Sequence, residues 1–300
     1  MSTMYRIRLV PLIFILFMPL IGWAIDLQPN DIVAPPPGKN LITISYFNTE
    51  NSTLYANGSV NSRGLYTNPV IDTQSAILRG TRTYALGNLP AASFIQLPYG
   101  TVQPAGSLSG LSSDTGIGDL TIATAIWPYH NKITRTYVGV AGYLISPTGS
   151  YSSQRAFNVS ENRFRTALQL GFQTPITQSV DGMIAVDTMW YGGNSQCGAA
   201  CGLTTDGSLT QKPLTTTQLG PIYRINQTFT VGASYFYVAG GATSINNTYQ
   251  NNVVNTQRFL LSSQAFTPIG RISLQYGRDM EIKNGFIQTR VLALRIMKDF

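Results

Sequence analysis

Arg271-Ile-Ser-Leu-Gln-Tyr-Gly277 carries two characters on alternate residues: Ile272, Leu274 and Tyr276 fall on one face, and Arg271, Ser273 and Gln275 on the other. Side chains of a strand alternate between its faces, so one face of this segment suits hydrocarbon and the other suits water. The same period runs through 163–173, where Phe164, Leu168, Leu170 and Phe172 alternate with Arg163, Arg165, Gln169 and Gln173. It returns in 119–127, with Leu120, Ile122, Thr124 and Ile126 together. Near 137–145 both faces carry apolar residues, and there β-propensity and the flanking turns mark the strand.

Working outward, twelve strands are expected near 40–49, 72–86, 90–98, 118–128, 134–146, 161–174, 180–191, 213–224, 228–238, 254–266, 270–278 and 286–299. Their connections alternate in length. Long ones fall near 50–71, 99–117, 147–160, 192–212 and 239–253, with a shorter one near 279–285. Between them lie tight turns at 87–89, 129–133, 175–179, 225–227 and 267–269. This alternation is the pattern of a closed antiparallel transmembrane β-barrel, with long extracellular loops and short periplasmic turns. The fold class is therefore all-β, with about twelve strands over residues 40–300.

Composition agrees. Only 11% of the residues are charged, while the chain holds 16 Tyr and 13 Phe and its mean hydropathy is +0.04. A soluble domain carries about twice that charge. A helical membrane protein concentrates its apolar residues, whereas a barrel dilutes them by alternation. Trp127, Trp190 and Tyr191 fall near strand ends, where interfacial girdles are expected.

The one continuous apolar run, Leu9 to Ala24, follows Arg6 and Arg8 and ends in Gly22-Trp23-Ala24. It reads as a secretory signal over 1–24, cleaved before Ile25, and Pro11 and Pro19 argue against a membrane anchor. Residues 25–39, with Pro35-Pro36-Pro37-Gly38, are expected as an extended periplasmic lead-in, since prolines cannot join a ladder. Losing the signal leaves 18 of the 20 basic residues against 13 acidic ones, with no basic cluster, so no nucleic-acid partner is expected. Cys197 and Cys201 share a Gly-Ala-rich loop; export favours a local disulfide, and the alternatives are two free thiols or a minor redox or metal role.

Several stretches resemble a known family: Tyr84-Ala-Leu-Gly-Asn-Leu-Pro90, Phe94-Ile-Gln-Leu-Pro-Tyr-Gly100, Gly116-Ile-Gly-Asp-Leu120, Leu219-Gly-Pro-Ile-Tyr223 and the closing Leu292 to Phe300. In this order they are similar to the meta-pathway phenol-degradation outer-membrane proteins, related more distantly to the fatty-acid and toluene channel proteins. The resemblance implies a Gram-negative outer-membrane barrel and passage of small hydrophobic or aromatic compounds, without a cofactor. Phe300, ending a strand with Leu292, Leu294 and Ile296 on one face, resembles the signal read by the barrel-assembly machinery, though Lys298 stands where an apolar residue is usual.

Catalysis finds little support. The single histidine, His130, lies in an expected short turn, and Asp114 and Asp119 flank Gly116-Ile-Gly118 as turn residues would. The glycines of 110–118 precede no helix that could bind a phosphate. A charge on the lipid face is costly, so Arg165, Asp187, Arg271 and Arg295, together with Arg79 and Arg258, are expected to point into the lumen. There they either brace the interior or line a path and set its charge preference. The expected function is a passive channel for small apolar or aromatic solutes. The alternatives are a non-conducting surface barrel that binds a partner through its long loops and, more remotely, an outer-membrane hydrolase.

Overall fold

The computed structural model describes residues 25–300, so the expected signal segment lies outside the described residues. Twelve strands span the structure: β1 (Asn40–Ala56), β2 (Pro69–Leu86), β3 (Leu89–Gly106), β4 (Leu120–Asn131), β5 (Thr136–Ser146), β6 (Arg165–Pro175), β7 (Val180–Tyr191), β8 (Leu214–Arg224), β9 (Phe229–Gly240), β10 (Val254–Thr267), β11 (Gly270–Ile282) and β12 (Gly285–Asp299). Each pairs antiparallel with its sequence neighbour, and β12 returns to β1 from Leu41↔Asp299 to Tyr55↔Gly285. The barrel is closed. Phe300 completes the seam, donating its N–H to the Asn40 carbonyl at 2.9 Å. No helix among the described residues is long and apolar enough to cross a membrane, which for a barrel is immaterial.

Alternation becomes a two-faced wall. Leu274 and Tyr276 are 56% and 43% exposed on the outside, whereas Ser273 and Gln275 between them are buried inside. Likewise Leu168 and Leu170 face out while Arg165, Gln169 and Gln173 face in. The interior is thus filled by polar side chains, the reverse of a soluble domain.

The structure departs from the sequence expectations in instructive places. At the long-loop end β1 and β3 run well past their expected ends, to Ala56 and Gly106, and β2 begins early, at Pro69. The connection expected at 279–285 is only Lys283-Asn284, because Arg278, Asp279 and Glu281, which suggest a loop, are strand residues. Gly285 takes φ +115° as the chain leaves this turn, a conformation that favours glycine.

In β4 the ladder to β5 slips between Ile126 and Tyr129. Trp127 keeps the inward face it shares with Thr121 and Ala123, 7% exposed, and the irregularity turns Tyr129 outward. Trp127 is therefore not an interfacial girdle residue, and Tyr191 also lies on the lumen side, beneath the Arg163 guanidinium at 4.5 Å. Trp190 does face outward. Between β8 and β9 pairing is interrupted: Leu219 opposes Tyr235 and the next pair is Ile222 with Gly232, leaving Gly220-Pro221 unpaired across that seam. Proline has no N–H to give a ladder.

Cys197 and Cys201 form a disulfide in the 192–213 connection, packed with Leu209, and a small sheet of Leu209–Gln211, Thr243–Ile245 and Thr248–Tyr249 sits beside it. This staple lies outside the barrel ladder and closes a very short loop, worth about 2 kcal/mol at most. Reduction is expected to leave the heat-resistant compact band of the barrel on gels unchanged while exposing the 192–213 loop to protease.

Candidate functional site: the lumen

Residues 25–39 do not lie beside the barrel as a lead-in. They enter it from the short-turn end, where Gly38 N–H bonds to the Thr83 carbonyl and Thr83 hydroxyl to the Pro36 carbonyl, and then run inward to Ile25. The correction has a physical reason. The segment turns on itself, Asp31 N–H to the Gln28 carbonyl at 3.0 Å and Val33 N–H to the Asn30 carbonyl at 3.2 Å, and backbone groups these turns leave over are met by inward glutamines of the lumen wall.

Gln218 bonds both polar groups of Leu27, accepting its N–H at 3.0 Å and donating to its carbonyl at 2.8 Å. Gln169 donates to the Ile25 carbonyl at 2.9 Å and Gln264 to the Pro29 carbonyl at 3.1 Å. Trp127 donates its indole N–H to the Ile32 carbonyl at 2.7 Å. Side chains join in, Gln28 with Gln275 and Asn30 with Gln264, both at 2.8 Å. The wall is also cut to fit: Ile32 lies over Gly171 and Pro29 over Gly232, so close that an added Cβ would meet them at 3.1 Å and 2.9 Å.

Charge fixes the segment at two heights. Asp31 accepts from Arg271 and Arg295, each at 2.9 Å, and Asp26 accepts from Arg258 at 2.7 Å. Burial works to raise the Asp31 carboxyl, but Arg295 and Arg271 outweigh it and hold it below the usual carboxylate range. For Asp26 burial wins over Arg258 and the carboxyl is raised.

The long-loop end is narrowed by a different device. Phe157 and Val159, from the 147–164 connection, pack inside against Leu54, Ile71, Val102, Leu108 and Phe286. Two buried aspartates clasp this loop. Asp114 takes the Val159 N–H at 2.9 Å, the Ser150 hydroxyl at 3.2 Å and the Arg155 guanidinium. Asp119 takes the Gly149 N–H at 3.2 Å, the Ser160 hydroxyl and Arg165 at 3.1 Å. Arg165 also pairs with Glu161, which holds Arg163 as well. The cluster of Asp119, Glu161, Arg163 and Arg165 is electrically balanced, and the two arginines, outweighing burial, hold the Glu161 carboxyl low.

The six residues expected in the lumen therefore have distinguishable positions. Arg258, Arg271 and Arg295 hold the inner segment, and Arg165 holds the loop. Asp187 faces in opposite Gln169 and Thr216. Arg79 bonds only the Gln96 side-chain carbonyl, at 2.9 Å from Nε and 2.6 Å from Nη2, and lies 4.2 Å over the Phe94 ring. The residues missing from the sequence reading are the partners: Asp26, Asp31, Glu161 and the inward glutamines. Inward alternation of Gln169 and Gln275 was visible, but what they bond was not. His130 sits at the end of β4, opposite Tyr137.

Between the inner segment and the wall remains a cavity of about 210 Å³, walled by Phe94, Trp127, Tyr143 and Ile32 and edged by Arg79. Among the described residues no group of His, Cys, Asp or Glu could hold a metal ion.

Comparison with known proteins fits this architecture. The chain is similar to a COG4313 outer membrane channel from Pseudomonas putida F1, at 26% identity and a TM-score of 0.84, covering 92% of this chain and all of that one. It shares the barrel fold with the β domain of the Bordetella autotransporter BrkA, at 10% identity and a TM-score of 0.53, covering 87% of this chain and 99% of that one. No curated protein matches it. The fold is that of outer-membrane channels, which are not enzymes. Residues 45–296 match the model of the family described as "Putative MetA-pathway of phenol degradation", and the chain belongs to that family.

Proposed function

We propose that this protein is exported by its cleaved N-terminal signal, assembled into the outer membrane through its last strand and Phe300, and passes small hydrophobic or aromatic solutes down a gradient. The observation that carries this reading is the lumen itself. Its polar wall is narrowed at one end by the inner segment and at the other by the 147–164 loop, and an aromatic-walled cavity lies beside the inner segment. A wide open pore would admit sugars and ions without distinction, whereas this one leaves room for single-ring molecules. The long loops then face outward and the tight turns the periplasm.

Liposome swelling with the refolded mature protein tests the reading. Neutral aromatic solutes are expected to swell the liposomes faster than sugars of similar mass, with small conductance steps in planar bilayers. A folded barrel that passes neither would instead be a sealed surface protein acting through its loops.

One observation supports a sideways exit as a second reading. The unpaired Gly220-Pro221 seam opens on the outside to an apolar groove of about 800 Å³ bordered by Tyr223, Val231, Leu261, Leu274 and Leu294, and Pro29 covers it from within. Bonding the seam with a cysteine pair would then stop apolar solutes while leaving ion conductance unchanged.

A further inference from the structure

Among the lumen arginines, Arg79 is the one whose hydrogen bonds go to a neutral side chain only. Gln96 occupies Nε and one hydrogen of Nη2, and among the described residues nothing accepts from Nη1. A guanidinium has five N–H donors in a fork that matches a carboxylate, so the Nη1–Nη2 edge is left open for one. Its neighbours add to this. Arg79, Arg271 and Arg295 line the cavity together with Asp26 and Asp31, and Asp31 is shared by Arg271 and Arg295.

The cavity walls set the rest of the ligand. Phe94 and Tyr143 meet edge to face, with centroids 6.1 Å apart, and Trp127 is held by its bond to Ile32. A dry cavity of about 150 Å³ accepts benzene. The 210 Å³ here therefore has room for one ring with a one-carbon substituent.

We propose that this cavity is a binding site for small aromatic carboxylates, the ring lying among Phe94, Trp127 and Tyr143 and the carboxylate on the open edge of Arg79. This deepens the channel reading and rests on it for its physiological role: the solute class becomes aromatic acids rather than neutral aromatics. A pair of charge-assisted hydrogen bonds to a desolvated guanidinium gives about ten-fold or more over a neutral isostere.

The test uses the full mature protein in detergent with Trp190→Phe, which leaves Trp127 at the cavity as the fluorescent reporter. Benzoate is expected to change Trp127 emission saturably, about ten-fold more tightly than benzyl alcohol, with acetate giving no response because it lacks the ring. Arg79→Gln should bring benzoate down to the level of benzyl alcohol, and Arg79→Lys should keep part of the preference. Equal affinities for benzoate and benzyl alcohol in the parent protein would overturn the proposal, as would an unchanged preference in a heat-modifiable, folded Arg79→Gln. If Arg79→Gln does not fold, the comparison of the three probes on the parent and on Arg79→Lys decides. Liposome swelling separates the two readings: passage without benzoate preference sinks the aromatic-acid site and leaves the channel, and benzoate binding without passage does the reverse.

Discussion

Asp31→Asn is expected to release the inner segment and raise single-channel conductance several-fold, while the barrel itself stays folded. Asp31 is the shared acceptor of Arg271 and Arg295. Removing its charge leaves the two guanidiniums without the carboxylate they share. Breaking a buried ion pair by removing one partner costs about 3–5 kcal/mol. That is large against the neutral hydrogen bonds that remain, each worth about 1 kcal/mol net. The ladder from β1 to β12 does not include residues 25–39, so the compact, heat-resistant gel band should persist. Protease cleavage within 25–39 gives the second readout. Unchanged conductance would mean that the glutamines alone retain the segment.

Acid should imitate the mutation, and the sign follows from the direction of each shift. Asp31 is held below the usual carboxylate range, so its contribution is complete above the unfolded value and is lost as pH falls through the lower folded one. Asp26 is raised, so it takes up its proton earlier, and that protonation relieves the burial of a charge rather than loosening the segment. Conductance is therefore expected to stay level from neutral pH through the range near 4 where free aspartate titrates, and to rise below it. An increase already at pH 6 would contradict the role given to Asp31.

The second large effect concerns the opposite end. Asp119→Ala removes the acceptor of the part-buried Gly149 N–H and of the buried Ser160 hydroxyl and Arg165 guanidinium. Each donor left without a partner costs about 1–3 kcal/mol. The 147–164 loop should detach, with its amide exchange rising by orders of magnitude and cleavage appearing at Arg155, which is otherwise paired with Asp114. Protection equal to the parent would show that the apolar packing of Phe157 and Val159 holds the loop unaided.

These two constrictions show where the sequence could be read and where it could not. Period-two alternation is a local property of the chain, so 271–277 and 163–173 declare a strand with a lipid face and a water face before anything else is known. The order of long and short connections is equally local and points to the barrel and its twelve strands, while alternation gives the expected inward set of Arg79, Arg165, Asp187, Arg258, Arg271 and Arg295. What those side chains bond is decided over separations such as the 264 residues between Asp31 and Arg295, which only closure of the cylinder brings together. Residues 25–39 carry no periodicity to announce that they sit inside, because a segment without helix or strand is stable wherever its backbone groups are met. The glutamines that meet them belong to strands throughout the wall. Sequence alone set which face of each strand turns inward; tertiary structure alone decided that Asp26 and Asp31 pair with Arg258, Arg271 and Arg295 while Arg79 bonds Gln96, since ion pairing depends on distance in space rather than along the chain.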